Sequence, residues 1–318
     1  MKYKTLMKTN PVYLITFCFI ALTFKLSAQQ SDTTQKTQAF PPPALGSFES
    51  SFNYSPFKIN NKRMSISQVN STLTLPLYNR LDNGRLDFFL VGLGYSAVLF
   101  SGIDNQFGGS TFQSVSVPLT LQKSFSTKYA LIASFTPTLS SDFKNISSND
   151  MIYSAAVLLK IRSSDRFSYS LGVAFSKQFF GTVLIPLVGI DWNITDKLNF
   201  SGTLPVAEKL TYRLNNKSAI GINNDFGIGG GTYRLSKKMD DAYLQVQQFK
   251  TTLFYDYSIS RKFSVTLSAG YNFTQQLDLY SKDQKVNWVP FNNLNKRVPL
   301  KELKQTGIAL QTGINYHF

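Results

Sequence analysis

Alternation of apolar and polar residues is the feature of this 318-residue sequence that most limits its fold. In residues 166–177, RFSYSLGVAFSK, aromatic and aliphatic residues occupy every second position, with mostly serine, glycine and alanine between them. The last stretch, 306–318, TGIALQTGINYHF, has the same pattern and ends on an aromatic residue. A period of two places successive side chains on opposite faces of a β-strand. The pattern predicts an all-β chain whose strands have one apolar face and one small, polar face.

Two kinds of connection separate these strands. Six are short and place Asn, Asp, Ser or Gly before the next apolar run, which is typical of hairpin turns. They are residues 79–86, 125–129, 163–167, 194–198, 215–219 and 260–263. Seven connections alternate with them and are more varied. The order predicts about fourteen antiparallel strands; if the strand Leu198–Leu204 and its partner merge with their neighbours, the count is twelve.

The polar face of the strands favours a membrane barrel over a soluble sandwich. It carries small and mostly uncharged residues, whereas a solvent-facing sheet normally uses more Lys and Glu. Most runs reach the ~9–11 residues that a tilted membrane strand needs. Aromatic residues such as Tyr129, Trp192 and Tyr257 stand at strand ends, where membrane interfaces favour them. We predict a transmembrane antiparallel up-and-down β-barrel, with a secreted soluble β-sandwich as the main rival.

The first 28 residues are typical of a secretory signal peptide. A basic start precedes the apolar run 11–24, and Ala28 ends a plausible cleavage site. A lipoprotein anchor on Cys18 is the rival interpretation. Residues 29–43 are polar and then proline-rich, which predicts a flexible segment, and residues 44–318 are predicted to form the barrel. Since Cys18 is the only cysteine, the mature chain is expected to have neither a disulfide nor a thiolate metal site.

The charge of the chain points to an anionic environment or partner. The formal net charge is +15, and removing the four lysines of the signal leaves +11. Outer-membrane lipid, lipopolysaccharide and a small anionic solute are the expected partners. Nucleic acid is not expected for an exported chain.

Several segments together resemble the monomeric outer-membrane β-barrels of Gram-negative bacteria. They are the SAQQ signal end, SFNYSPF, TDKLNFSGTLP and the aromatic terminus INYHF. The chain resembles most an uncharacterised exported barrel family of unknown function, over roughly residues 45–318. The resemblance implies an outer-membrane location and recognition of the C-terminal strand by the barrel assembly machinery. It implies no active-site residues.

Catalysis and metal binding find little support in the sequence. Barrel-embedded lipid enzymes typically use a Ser–His pair, and the only histidine, His317, is predicted to lie at the periplasmic rim. One histidine and no mature cysteine exclude a histidine- or thiolate-based metal site. We therefore predict that the protein is not an enzyme and has neither a cofactor nor a metal, with a barrel-embedded lipid enzyme kept as the weakest alternative.

The lumen is the predicted functional region. Alternation places six charged residues on the inward face: Lys160, Arg162, Asp191, Asp225, Lys250 and Asp256. Such charges either line a solute path or pair to fill the barrel. The leading hypothesis is passive passage or binding of a small solute through the lumen. The alternative is a closed structural or surface-display barrel.

The long segment 277–304 carries six basic residues and three acidic ones. One interpretation is an external loop held near anionic lipopolysaccharide by its charge. The other is a constriction over the mouth of the barrel that favours anions. Residues 297–304 are also the best helix candidate in the sequence.

Overall fold

The computed structural model describes residues 46–59, 61–103, 106–227, 231–236, 242–286 and 297–318. The strands of this part of the chain are β1 Ser47–Ile59, β2 Lys62–Asp82, β3 Arg85–Ser101, β4 Thr111–Ser116, β5 Leu119–Ser124, β6 Tyr129–Ser141, β7 Met151–Arg162, β8 Phe167–Gln178, β9 Gly181–Asn193, β10 Leu198–Leu204, β11 Ala207–Arg213, β12 Ser218–Asp225, β13 Thr232–Arg234, β14 Tyr243–Ser258, β15 Phe263–Tyr280 and β16 Lys301–His317. A short 3-10 helix, Ser148–Asp150, precedes β7. Among the described residues, no helix has the length and apolar character needed to cross a membrane. The predicted signal peptide 1–28 and the segment 29–43 lie outside the described ranges and stay predictions.

The strands form a closed antiparallel barrel with fourteen wall strands. β4 and β5 make a single wall strand, because both pair with β3 and β6 on either side of Pro118. The ring closes where β1 pairs with β16 and β12 pairs with β14. Closure leaves no open sheet edge, which is the condition for a β-structure in lipid. The fourteen-strand prediction is confirmed, and β10 pairs with both β9 and β11 rather than merging with them.

Turn chemistry explains the register of the hairpins. Asp82 and Arg85 pair at the ends of β2 and β3, with only Asn83 and Gly84 between them. The backbone φ angles of Asn83 and Gly84 are 50° and 75°. Positive φ at both central residues defines a type I′ turn, for which Asn-Gly is a preferred sequence. The short connection therefore sets the pairing of the two longest neighbouring strands.

The two ends of the barrel differ in their connections. The backbone N–H of His317 donates to the carbonyl of Lys262 at 2.8 Å, and that of Phe318 donates to the carbonyl of Gly46 at 3.2 Å. These bonds place both described ends of the barrel chain beside the short turn 260–263. We call this end of the barrel, where the short turns lie, the terminal end. The opposite end, where the more varied connections lie, is called the far end.

The outer face of the wall is apolar. Leu253 and Leu267 are 65% and 58% exposed, and Leu93, Leu171 and Leu310 are exposed in the same way. A water-soluble protein rarely presents such a continuous apolar band. Aromatic side chains, including Tyr129, Trp192 and Phe318, stand exposed at strand ends. The fold is a transmembrane β-barrel.

The inner face is small and polar, as predicted. On β15 the residues between the lipid-facing positions are Ser264, Thr266, Ser268, Gly270 and Asn272. Inside the barrel the hydroxyls of Ser154 and Ser176, on neighbouring strands, hydrogen-bond to each other at 2.9 Å. Such side chains keep the lumen hydrated without large unpaired charges.

The helix predicted for residues 297–304 is wrong. Lys301 begins β16 and pairs with Leu279 of β15, and Lys304 pairs with Gln276. Cross-strand pairing overrides a helical preference that is only two turns long. The predicted loop 277–304 is correspondingly shorter, and its connection spans residues 281–300.

Candidate functional site

A polar cavity occupies the lumen nearer the terminal end, with a volume of about 280 Å³. Residues of β1, β2, β11, β12, β14, β15 and β16 form its wall. It is lined by Glu49, Ser50, Ser51, Asn70, Thr72, Lys209, Asn223, Thr252, Phe254, Thr266, Ser268, Gln311, Gly313 and Asn315. We call it the lower cavity. Its lining is mostly uncharged donors and acceptors, as the alternation predicts.

One ion pair stands at the wall of the lower cavity. Lys209 on β11 lies 3.2 Å from the carboxylate of Asp256 on β14, and its Nζ is 4.1 Å from the ring centroid of Phe254. Thr266 Oγ1 donates to the same carboxylate at 2.6 Å. Asp256 is therefore balanced by a cation and held by a neighbouring hydroxyl.

A second polar cavity of about 340 Å³ adjoins the first and shares Asn70 with it. We call it the upper cavity. It is lined by Asn53, Gln68, Asn70, Ser96, Val98, Ser114, Asp225, Gly227, Gly231, Tyr233, Val246, Gln248 and Lys250. Lys250 is buried, lies 3.7 Å from the carboxylate of Asp225, and donates to Asn53 Oδ1 at 3.2 Å. Because Asn53 is on β1 and Lys250 on β14, this contact spans the two intervening strands, β15 and β16.

The predicted lumen residues divide into two groups. Asp225 and Lys250 line the upper cavity, and Asp256 contacts Lys209 beside the lower one. Lys160, Arg162 and Asp191 lie on β7 and β9, in another part of the wall. Arg162 and Asp191 are exposed, and Asp191 accepts a hydrogen bond from Asn199 at 3.2 Å. Whether these six residues line a solute path stays a prediction.

Sequence reasoning did not single out three cations that shape the lumen and its far end, although Arg297 is one of the six basic residues counted in the segment 277–304. Lys209 could have been found, since it alternates with Thr211 and Arg213 on the same strand face. Arg234 and Arg297 lie outside the regular wall alternation. Their positions depend on how connections fold back over the barrel, for which the sequence gives no periodic signal.

An apolar cluster fills part of the lumen at the far end. It consists of Ile66, Val98, Phe100, Ile103, Phe107, Phe112, Tyr233, Leu235, Ala242, Leu244, Val246, Leu277 and Leu279. Inward-facing residues of β2, β3, β4, β14 and β15 meet there around the short segment β13. We call β13 and this cluster the outer plug. It forms the roof of the upper cavity, since Val98, Tyr233 and Val246 belong to both.

β13 bridges two wall strands that are not neighbours. It pairs antiparallel with β14 and, through Arg234 and Ser141, parallel with β6. The Arg234 guanidinium forms a buried ion pair with Asp150. Ser140 Oγ donates to the carbonyl of Thr232 at 2.6 Å, and Thr232 Oγ1 donates to Gln178 Oε1 at 2.5 Å. These bonds satisfy polar groups that would otherwise be buried without partners.

The connection 281–300, which we call the crossing loop, is described at residues 281–286 and 297–300. Its first part reaches from β15 to the hairpin between β8 and β9. The N–H of Val286 donates to the carbonyl of Phe180 at 2.6 Å, and Val286 pairs with Gly181. At its other end Arg297 packs against the rings of Phe180 and Tyr280, at 4.8 and 4.3 Å from their centroids.

Hydrogen bonds also fix Arg297 to β14. Its guanidinium donates to Gln245 Oε1 at 2.8 Å and to the Tyr243 hydroxyl at 3.1 Å. The described parts of the crossing loop, residues 281–286 and 297–300, are thus attached to the β8–β9 hairpin and to β14, and both interpretations of the segment stay predictions. Arg297 is buried in these contacts and serves as an attachment point of the loop.

A family profile described as Domain of unknown function (DUF6268) matches residues 47–317, which is the whole barrel from β1 to β16. The chain belongs to the DUF6268 family. The predicted resemblance to an uncharacterised barrel family is confirmed. No curated protein is significantly similar in sequence to the DUF6268 chain.

Several solved outer-membrane proteins are similar to this chain at low sequence identity and low TM-score. An outer-membrane channel from Pseudomonas putida F1 is 8% identical with a TM-score of 0.41, over 90% of this chain and 100% of that one. The NanC porin is 9% identical with a TM-score of 0.34, over 86% and 100%. The translocator domain of the autotransporter NalP from Neisseria meningitidis is 9% identical with a TM-score of 0.35, over 88% and 91%. These similarities assign no function to the DUF6268 barrel.

His317 lies at the terminal end of the DUF6268 barrel, where it pairs in register with Ser47 of β1. Its Nδ1 is buried and has no hydrogen-bond partner among the residues that the structure describes. A general base needs a bond to the hydroxyl that it activates. Among the described residues, no group of three or more His, Cys, Asp and Glu is arranged to hold a metal ion. That the protein is not an enzyme stays a prediction.

Replacing Gly181 tests the attachment of the crossing loop. Its φ is 120°, and a Cβ at this position would lie 2.0 Å from the carbonyl oxygen of Val286. Since such backbone strain costs about 1–3 kcal/mol, we expect Gly181→Ala to make tryptic cleavage at Lys282 and Lys285 about tenfold faster in proteoliposomes. Gly109→Ala is the control, because a Cβ there meets only ordinary contacts, the nearest at 3.5 Å. Equal cleavage rates in both variants would show that this contact does not hold the loop.

Proposed function

We propose that the protein is an outer-membrane channel or binder for a small solute, acting passively through its lumen. The observation that supports this is the pair of adjoining polar cavities inside the wall, of about 280 and 340 Å³. Their polar side chains are held by hydrogen bonds and ion pairs across strands rather than packed into a solid core. An interior built only to support surface loops would have no need of such space.

The proposed location is the outer membrane of a Gram-negative cell. Export would use the signal peptide, with cleavage near Ala28, and the terminal end would face the periplasm. The apolar outer band would contact membrane lipid, and the basic crossing loop would lie near lipopolysaccharide. The C-terminal strand β16, which the exposed Phe318 follows directly, would be the part recognised by the barrel assembly machinery.

The outer plug supports a second candidate, a closed barrel that displays its far-end loops. Phe112, Leu235 and Leu244 are fully buried in the plug, so water is excluded from this part of the lumen. A hydrophobic constriction of this kind blocks ions by dewetting. The two candidates differ in whether the plug ever opens.

Conductance across planar bilayers distinguishes the two candidates. With the purified full-length protein, we expect brief openings of low conductance, because the plug closes the lumen for most of the time. Heat-dependent gel mobility confirms that the inserted barrel is folded. If the folded barrel shows no conductance even after the outer plug has been disrupted, the result would contradict the channel and support the display barrel.

A further inference from the structure

We propose that the upper cavity binds a small, neutral, polyhydroxylated solute of about the size of a mono- or disaccharide. This inference rests on the proposed function, since it names the class of solute for the same lumen. It depends on three properties of the cavity: the chemistry of its lining, the balance of its charges and the nature of its roof.

The lining consists largely of neutral groups that both donate and accept hydrogen bonds. Asn53, Gln68, Asn70 and Gln248 supply amides, and Ser96 and Ser114 supply hydroxyls. An amide offers a carbonyl acceptor and two N–H donors, and a hydroxyl does both as well. These side chains come from β1, β2, β3, β4 and β14, so they surround the cavity from several sides. A solute with many hydroxyl groups matches such a lining better than one with a single charge.

The two charges that line the upper cavity cancel as a pair, and an ion pair also stands beside the lower one. Lys250 lies 3.7 Å from Asp225 at the upper cavity, and Lys209 lies 3.2 Å from Asp256 at the lower one. An anion entering the upper cavity would lose its water while the nearby ammonium group already has a carboxylate partner. Desolvation of a charge without a new partner is costly. The local balance therefore favours a neutral solute, although the chain as a whole is basic.

The roof and the volume agree with a sugar-like solute. Val98, Tyr233 and Val246 give the cavity an apolar side against which the C–H face of a sugar ring can pack. The volume of about 340 Å³ lies near the lower end of the range for small-molecule sites, ~300–1,000 Å³. Polar contacts on the walls and one apolar face would together orient such a ring.

Isothermal titration calorimetry on the full-length protein in a detergent without a sugar headgroup tests this inference. The neutral probes are glucose, galactose and sucrose, and the charged probes are gluconate and glucosamine. We expect at least one neutral sugar to bind about tenfold more tightly than either charged probe, because neither charged probe finds an unpaired counter-charge. Preference for gluconate or glucosamine, or no binding of any neutral sugar, would overturn the inference.

Two variants make the test specific to the charge balance. Asp225→Asn leaves Lys250 without its carboxylate, so we expect gluconate to gain about tenfold in affinity relative to glucose. The double variant Asp225→Lys with Lys250→Asp restores a pair of opposite charges, and we expect it to keep the preference for neutral sugars. An unchanged preference in Asp225→Asn would show that this ion pair does not select the solute.

The test of sugar binding can fail or succeed independently of the test of the proposed channel function. Calorimetry in detergent requires no transport, and conductance requires no binding of a sugar. If the protein conducts ions but binds gluconate more tightly than the neutral sugars, the proposed channel function is supported and only the proposed solute class is overturned. Binding of a neutral sugar by a barrel that never conducts would support the solute class and contradict passage through the lumen.

Discussion

Replacing Leu235 with Asp is expected to convert brief openings in planar bilayers into sustained conductance. Leu235 has no exposed surface and lies within the apolar cluster of the outer plug. An unpaired carboxylate there would cost several kcal/mol, which favours conformations in which the segment after the three-residue β13 leaves the apolar cluster. Since 1.4 kcal/mol corresponds to a factor of ten, the open probability should rise at least about tenfold.

Val298→Asp is the matched control for this prediction. Val298 is 70% exposed on the crossing loop, so the same change of an apolar residue to Asp should leave the conductance as it is. Heat-dependent mobility must be the same in both variants, which shows that the wall has assembled. If Leu235→Asp assembles normally and its conductance is as low as that of Val298→Asp, the outer plug is not what closes the lumen.

A charge on the lipid face is expected to have the largest effect on stability. Val173 lies near the middle of β8 with its side chain exposed on the apolar outer face. Arg at the bilayer midplane of a β-barrel costs about 2–4 kcal/mol, so Val173→Arg should lower the free energy of unfolding by that amount. Urea unfolding of the barrel in lipid vesicles, followed by gel mobility, measures the change.

Ala174→Arg is the control on the opposite face. Ala174 is the next residue of the same strand and pairs with Ala156 and Ile185 on the inner side of the wall. An Arg there can reach the hydrated lumen, so we expect a cost well below that of Val173→Arg. Equal destabilisation by the two changes, or a larger effect at Ala174, would contradict the assignment of the two faces.

The wall of the barrel was predictable because it is specified locally. Each strand encodes its two faces by alternation, and a register shift of one residue would place its apolar side chains in the lumen. The Asn83–Gly84 turn fixes its hairpin through the φ angles that those two residues tolerate. Strand number followed from the connections, and even the seven-residue β10 is a wall strand of its own.

The outer plug was not predictable, because its contacts are distant in sequence and its segment has no alternation to identify it. β13 has three residues, and Ser140 reaches Thr232 across 92 positions of the chain. The lumen was predictable in part. Alternation identified Lys250 and Asp225 as inward-facing candidates, whereas their ion pair follows from the register of β12 with β14. Arg297 is held by two aromatic rings, Phe180 in the β8–β9 connection and Tyr280 at the end of β15, and no local sequence pattern reveals this contact.

Membrane fractionation combined with gel mobility tests the central claim, a closed barrel that spans the outer membrane, most directly. We predict that the protein sediments with outer membranes, resists extraction by salt and alkaline carbonate, and is released by detergent. Unheated and boiled samples should migrate differently, because a closed β-barrel stays folded in cold detergent. Release without detergent, together with identical mobility before and after boiling, would contradict the account and support a soluble β-sandwich.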